Sequence, residues 1–237
     1  MSKLEKLKKD LKSHETKDKA KILGRFFKTG PGQYGEGDIF LGLKTAETRS
    51  IAKKYSDLQL SDVAKLLSSK IHEQRTVAVM ILNHQFRKGD FEQKKEIYEF
   101  YLKNISGINN WDLVDSSAHK IMGEYLDISG NSREVIYNFA RSNDLWKKRI
   151  AIMTTYYFIR KKEFKDALKI AKILLNDKHD LIHKAVGWML REIGNRDLDE
   201  EERFLKKYYK KMSRTMLRYA IEKFEEKKRQ AYLKGII

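Results

Sequence analysis

Apolar residues recur at i, i+3 and i+4 along almost the whole chain, and a single proline, Pro31, interrupts the pattern. That spacing gathers apolar side chains on one stripe of a helix, whereas a strand requires alternation with a period of two. Strand-like alternation is hard to find, and most glycines lie between the periodic segments. The expected class is all-α, with about a dozen helices. Several starts carry capping chemistry. Asp90 with Gln93 and Asn131 with Glu134 have the spacing of capping boxes, and Asn110 and Asn143 precede apolar-periodic runs as N-caps.

An internal repeat follows from the same pattern. "EQRTVAVMIL" from Glu73 and "KKRIAIMTTY" from Lys147 superpose at a shift of 74 residues, two steps of 37. Leu145 and Leu181 stand 36 apart, and Trp111 precedes Trp146 by 35. Helix pairs recurring at this period suggest a HEAT-like solenoid, each pair burying its face against the next. The tetratricopeptide signature is absent.

Charge then narrows the partner. The 237 residues carry a formal net charge of +17, which points to a polyanion. No apolar run approaches the roughly 20 residues that span a bilayer, so nucleic acid is favoured over membrane. The N-terminus, "MSKLEKLKKDLKSHETKDKAK", has no apolar signal-peptide core, and an intracellular, cytoplasmic protein is expected. Cysteine is absent, which rules out disulfides, thiolate nucleophiles and cysteine-ligated metals in this sequence. Basic residues interleave with aromatic ones in "KKRIAIMTTYYFIRKKEFKDALK" and "KKYYKKMSRTMLRYAIEKFEEKKR". These stretches suit a groove for a phosphate backbone; a solvated helical face with aromatics turned inward fits each one equally well.

Four motifs bear on chemistry. On a helical wheel, Trp111, Val114, Ala118, Met122 and Tyr125 form one apolar stripe with Asp115 on its edge, flanked by Asp112 and His119. A carboxylate at the margin of a buried stripe needs a partner or a task; the helix dipole or a nearby lysine would also satisfy it. "GPGQYG" matches G-x-G-x-x-G from Gly30 to Gly35, but a helix rather than a strand precedes it, so a structural loop is expected in place of a dinucleotide site. His179 and His183 have the i, i+4 spacing of helical zinc ligands without an evident third ligand. Ser116 and Ser117 near His119 lack any nameable orienting or oxyanion partner. No metal and no cofactor is called for.

"NNWDLVDSS", "SNDLWKKRIAI" and "KAVGWMLREIG" resemble, in that order, the three active-cleft segments of the AlkD-type DNA alkylation repair glycosylases, a HEAT-like-repeat family. "RFFKTGPGQYGEGDIFLGLKTAETRSIAKKY" is similar to the N-terminal signature of the same broad family, and the likeness runs from about residue 20 to 220. The resemblance implies one domain over 1–237, folded as a right-handed-type superhelical solenoid of antiparallel helix pairs with a concave basic groove. It implies a monofunctional DNA glycosylase that excises purines alkylated at N3 or N7 from double-stranded DNA, acting as a monomer. It places the catalytic carboxylate at Asp115, the cleft tryptophans at Trp111 and Trp188, and a DNA-contacting arginine at Arg149. Ala46 and Ser213 stand where many members have proline. A rival reading from composition alone is a HEAT-like module that recognises nucleic acid without chemistry, and a second is a protein-interaction scaffold. Neither would require Asp115 or both tryptophans.

Overall fold

A computed structural model describes residues 1–237. It contains helices and turns, no strand, and one isolated bridge between Ile39 and Ile71. The all-α expectation is met. The chain forms two compact units, Met1–Ser117 and Ala118–Ile237.

In the first unit, α1 (Lys3–Ser13) opens on a capping box in which the Ser2 hydroxyl accepts from the Glu5 N–H at 3.2 Å and Glu5 accepts from the Ser2 N–H at 2.6 Å. It buries Leu4, Leu7 and Leu11, one stripe at helical spacing. Next come α2 (Lys17–Phe26), α3 (Thr45–Lys54), α4 (Leu60–Leu67), α5 (His72–Lys88), α6 (Phe91–Lys103) and α7 (Trp111–Ala118). α5 is the centre, with α1, α3, α4 and α6 packed against it. Its first turn is buried on every side, including His72, Glu73, Gln74 and Arg75. Such a helix needs internal partners for its polar groups. Glu73 finds them in the extended segment before α3, accepting from the N–H groups of Leu41 at 2.9 Å and Gly42 at 2.8 Å.

The second unit begins with a π-helical turn, His119–Gly123, continued by α8 (Glu124–Ile128) and α9 (Glu134–Ala140). After these come α10 (Leu145–Arg160), α11 (Lys165–Ile173), α12 (Asp180–Gly194), α13 (Leu198–Tyr208), α14 (Arg214–Ala220) and α15 (Glu226–Lys234). α10 packs on the π turn, α9, α11 and α12; α12 in turn packs on α13 and α14. The repeated segments therefore fall on the buried central helix of each unit, α5 and α10.

The helix starts divide. Asp90 and Gln93 form the expected box, at 2.9 and 3.0 Å. Asn110 caps α7, its side-chain oxygen accepting the Trp111 N–H at 2.8 Å. Asn131 is not a cap, because Glu134 is itself the first helical residue and its N–H is taken by the Ser132 hydroxyl at 3.2 Å. Asn143 is one residue early: the Asp144 carboxylate accepts from the Trp146 and Lys147 N–H groups, at 2.8 and 3.0 Å. Ser213, where the resemblance implies proline, caps α14, its hydroxyl accepting from the Met216 N–H at 3.2 Å.

Candidate functional site

In the first unit, Trp111 begins α7 and Asp115 follows one turn later; both are half-buried. The indole stacks on Phe27, with ring centroids 5.2 Å apart and planes inclined by 9°. Phe26 meets its edge at 6.0 Å. One indole face is thus occupied by protein, and a ligand would have to use the other. Below Asp115, Asn83 donates to the Ser116 carbonyl at 3.0 Å, and the Ser117 hydroxyl donates to the Leu113 carbonyl at 2.6 Å and pairs with the Tyr101 hydroxyl at 2.9 Å. Burial, with the charge of Asp115 behind it, pushes the Tyr101 pKa well above its ordinary value, so this hydroxyl stays protonated. The two serines are therefore framework groups.

A polar cluster that sequence reasoning did not assemble holds the start of α7. Asp38 Oδ2 accepts from Arg75 Nη2 at 2.6 Å and Asn110 Nδ2 at 3.2 Å, and lies 3.4 Å from His72 Nδ1. The other ring nitrogen, His72 Nε2, is 2.8 Å from Asp112 Oδ2 in the first turn of α7. Phe27 and Phe40 pack on the imidazole, with centroids 4.9 and 4.6 Å away. Trp111, Asp112, His72, Phe27 and Phe40 together line a cavity of about 360 Å³. Burial opposes the imidazolium, but hydrogen bonds to Asp112 and Asp38 outweigh it and raise the His72 pKa above 6.5. Burial likewise opposes the Asp38 carboxylate, and His72 and Arg75 more than offset it. The sequence signal for this cluster was slight, since the hydrogen bonds that join its segments span 34 to 72 residues.

In the second unit, Arg149 is buried on α10, 4% exposed, and donates from Nη1 to the Leu181 carbonyl at 2.5 Å in the first turn of α12. Trp188 lies two turns further along α12, half-buried, with its indole N–H donating to Glu192 at 3.2 Å. Its ring is 6.3 Å from Tyr156, which meets the edge of His119 at 5.3 Å, and the Arg196 guanidinium lies over the Tyr156 ring at 5.8 Å. Gly187 explains the glycine of the "GWMLRE" stretch: a Cβ there would stand 2.4 Å from the Met216 carbonyl oxygen. Only glycine lets α14 lie this close against α12 beside Trp188.

The remaining motifs have other roles. His179 caps α12, its Nδ1 accepting from the Leu181 N–H at 3.1 Å, and His183 Nε2 meets the Asp177 carbonyl at 2.5 Å. No group of three histidines or carboxylates is placed to hold a metal. "GPGQYG" is a turn-rich loop after α2, with Gly32 at φ +71° and Gly35 so close to the Phe27 carbonyl that a Cβ would lie 2.4 Å from it. Among the basic stretches, Lys148 pairs with Asp177 at 2.5 Å and Lys161 with Asp127 at 2.8 Å. Lys165, Lys169 and Lys172 instead line an open cavity of about 760 Å³ on α9 and α11, away from Arg149 and Trp188.

The profile of the DNA alkylation repair enzymes matches residues 7–224. The chain belongs to that family. Similar solved structures include a predicted DNA alkylation repair enzyme from Enterococcus faecalis, 15% identical, with a TM-score of 0.69 over 90% of this chain and 98% of that one. AlkD2 from Streptococcus mutans is 19% identical, with a TM-score of 0.56 over 89% and 99% of the two chains. A further protein of Streptococcus mutans UA159 is 20% identical, with a TM-score of 0.56 over 76% and 92%. At these identities the structures share the fold. No curated protein sequence matches the chain. Membership in the DNA alkylation repair family accords with the excess of basic residues and with DNA as partner, and no helix is long and apolar enough to cross a membrane.

Proposed function

We propose that this member of the family is a monofunctional DNA glycosylase that excises purines alkylated at N3 or N7, such as 3-methyladenine and 7-methylguanine. The observation that carries the reading is the pairing on α7 of a half-buried carboxylate, Asp115, with an indole braced from one side by Phe27. Such a base is already cationic and leaves without being protonated. The glycosidic bond breaks, its electron pair neutralises the departing purine, and positive charge grows on the deoxyribose. An ionised Asp115 beside that charge lowers the barrier. Water then adds at the sugar carbon, and Asp115 positions it and takes its proton. The products are the free base and an abasic site.

Trp111 offers the face opposite Phe27 to the cationic nucleotide or its sugar, and Trp188 acts in the same way. Arg149, its guanidinium oriented by the Leu181 carbonyl, contributes a phosphate contact. Both compact units act as one DNA-repair domain, working as a monomer in the cytoplasm, and basic residues outside the site hold the duplex through phosphate contacts. No step calls on a metal, a cofactor or a Schiff-base lysine.

Selectivity in this scheme follows the charge of the lesion, which sets a test. Duplexes carrying 7-methylguanine or neutral hypoxanthine are incubated with the protein, and free base is measured. Release from the first alone, above the spontaneous rate, is expected. Equal release from both would overturn selection by charge. Release from neither, with binding that weakens steeply in salt, would replace the enzyme by a non-catalytic DNA-binding module.

A further inference from the structure

We propose that His72 is a positioning residue whose imidazolium, held between Asp38 and Asp112, fixes the first turn of α7 and so sets the placement of Trp111 and Asp115. The proposal rests on the glycosylase reading only for its catalytic consequence; the placement of Trp111 is a structural statement in its own right.

Three chain segments meet at this imidazole. Asp38 comes from the segment before α3, His72 and Arg75 from the start of α5, and Asn110 and Asp112 from the start of α7. The side chains of His72, Asp38 and Arg75 are 4%, 8% and 3% exposed, so water does not screen their charges. Asp112 is more open, at 24%, yet its Oδ1 is buried without a hydrogen-bond partner. The His72 bond to Oδ2 is the contact that ties this carboxylate down.

The Nδ1 atom has two possible partners of opposite kind. Asp38 Oδ2, an acceptor, is 3.4 Å away, and Arg75 Nη2, a donor, is 3.3 Å away. As imidazolium, His72 donates at both nitrogens, to Asp38 and to Asp112. As neutral imidazole, it donates from Nε2 to Asp112 while Nδ1 accepts from Arg75. Two carboxylates and two cations balance in the first state. In the second, one carboxylate charge is uncompensated in a buried cluster, which is costly. The least enclosed member, Asp112, is the one free to yield, and α7 begins one residue before it. The other charged groups of the cavity act elsewhere or more weakly: Glu73 is satisfied by the N–H groups of Leu41 and Gly42, and Arg49 of α3 is exposed.

The direction with pH follows. The folded pKa of His72 is raised above 6.5, so the clamp is at full strength below that value. It is lost as pH rises through the raised pKa. Placement of Trp111 should then change in one step above pH 6.5, in parallel with the ionisation of His72.

The test uses the whole protein labelled with fluorotryptophan and with isotopically labelled histidine, each signal assigned by single substitution. Fluorine NMR of Trp111 and the imidazole signals of His72 are followed against pH. The expected result is one shared midpoint above 6.5. It is lowered in Asp112→Asn, which removes one supporting charge and keeps a hydrogen-bond acceptor, and the Trp111 step is absent in His72→Gln. Single-turnover release of 7-methylguanine should fall roughly tenfold across the step, and His72→Gln should be low and flat with unchanged DNA affinity. A Trp111 signal that ignores the titration of His72 would overturn the proposal, whatever the activity. A shared midpoint in a protein that releases no base would uphold the clamp and reject the glycosylase reading.

Discussion

Arg75 and Arg149 stand 74 residues apart (149 − 75), at matching positions of the two segments that superpose in sequence, near the start of the buried helices α5 and α10. Both are almost fully buried, at 2% and 4%, and both donate from Nη1 to a backbone carbonyl, Ser69 for one and Leu181 for the other. The carbonyls differ in what they fix. Ser69 lies just before α5 itself, and the second arm of Arg75 turns to the Asp38 carboxylate beside the start of α7. Leu181 lies in the next long helix, so Arg149 ties α10 to the helix that carries Trp188. Each unit thus has a buried arginine as a strut near the start of a buried helix, and the neighbouring segment decides which tryptophan it serves. An arginine at this position is not in itself evidence of a phosphate contact.

The largest effect that would break this comparison is in the first unit. Arg75→Leu strands the buried Asp38 carboxylate and should destabilise the protein by about 4 kcal/mol in denaturant unfolding. Adding Asp38→Asn should recover much of that loss, and no recovery would mean that the arginine acts by packing alone. The second unit has a buried carboxyl of the opposite kind. Glu201 is 1% exposed, one of its oxygens has no partner, and burial raises its pKa to about 9. A raised folded pKa means that stability is fully present below the ordinary value of 4.5 and declines as pH rises toward 9. By neutral pH this group should cost about 3 kcal/mol, a slope that Glu201→Gln removes from pH-dependent unfolding curves.

Two smaller effects sharpen the picture. Gly187→Ala forces a Cβ against the Met216 carbonyl and should cost about 2 kcal/mol while displacing Trp188, read as a lower Tm and a shifted indole fluorescence. A Trp188 spectrum unchanged by this variant would separate the glycine from the tryptophan it precedes. Asp90→Ala, at a cap remote from the candidate residues, should cost about 1 kcal/mol by loss of its capping box and leave base release intact.

Local signals in the sequence were readable where the physics is local. Apolar periodicity gave the all-α class, and the Asp90–Gln93 spacing gave a cap because both partners lie within one turn. Asn143 lost the capping role to its neighbour Asp144, whose carboxylate serves two N–H groups, and Asn131 lost it because the chain enters α9 two residues later. The helical wheel that set Trp111 and Asp115 on one side held for the first turns of α7. It could not register the π turn at His119–Gly123, which changes the angle per residue. Phe27, His72 and Asp38 were not legible as parts of a site. Their links to α7 span 40 (His72 to Asp112) to 84 residues (Phe27 to Trp111, 111 − 27) and exist only after folding, whereas Trp111 and Asp115 stand in one short family motif.

The central claim is that Asp115 carries the chemistry while its neighbours hold it in place. The direct measurement is single-turnover release of 7-methylguanine from duplex DNA by the wild-type protein and by Asp115→Asn, with DNA affinity and thermal stability measured on the same samples. The account predicts release well above the spontaneous rate for wild type and a loss of at least roughly a hundredfold in the variant, with folding and binding retained. Release by Asp115→Asn at the wild-type rate would contradict it.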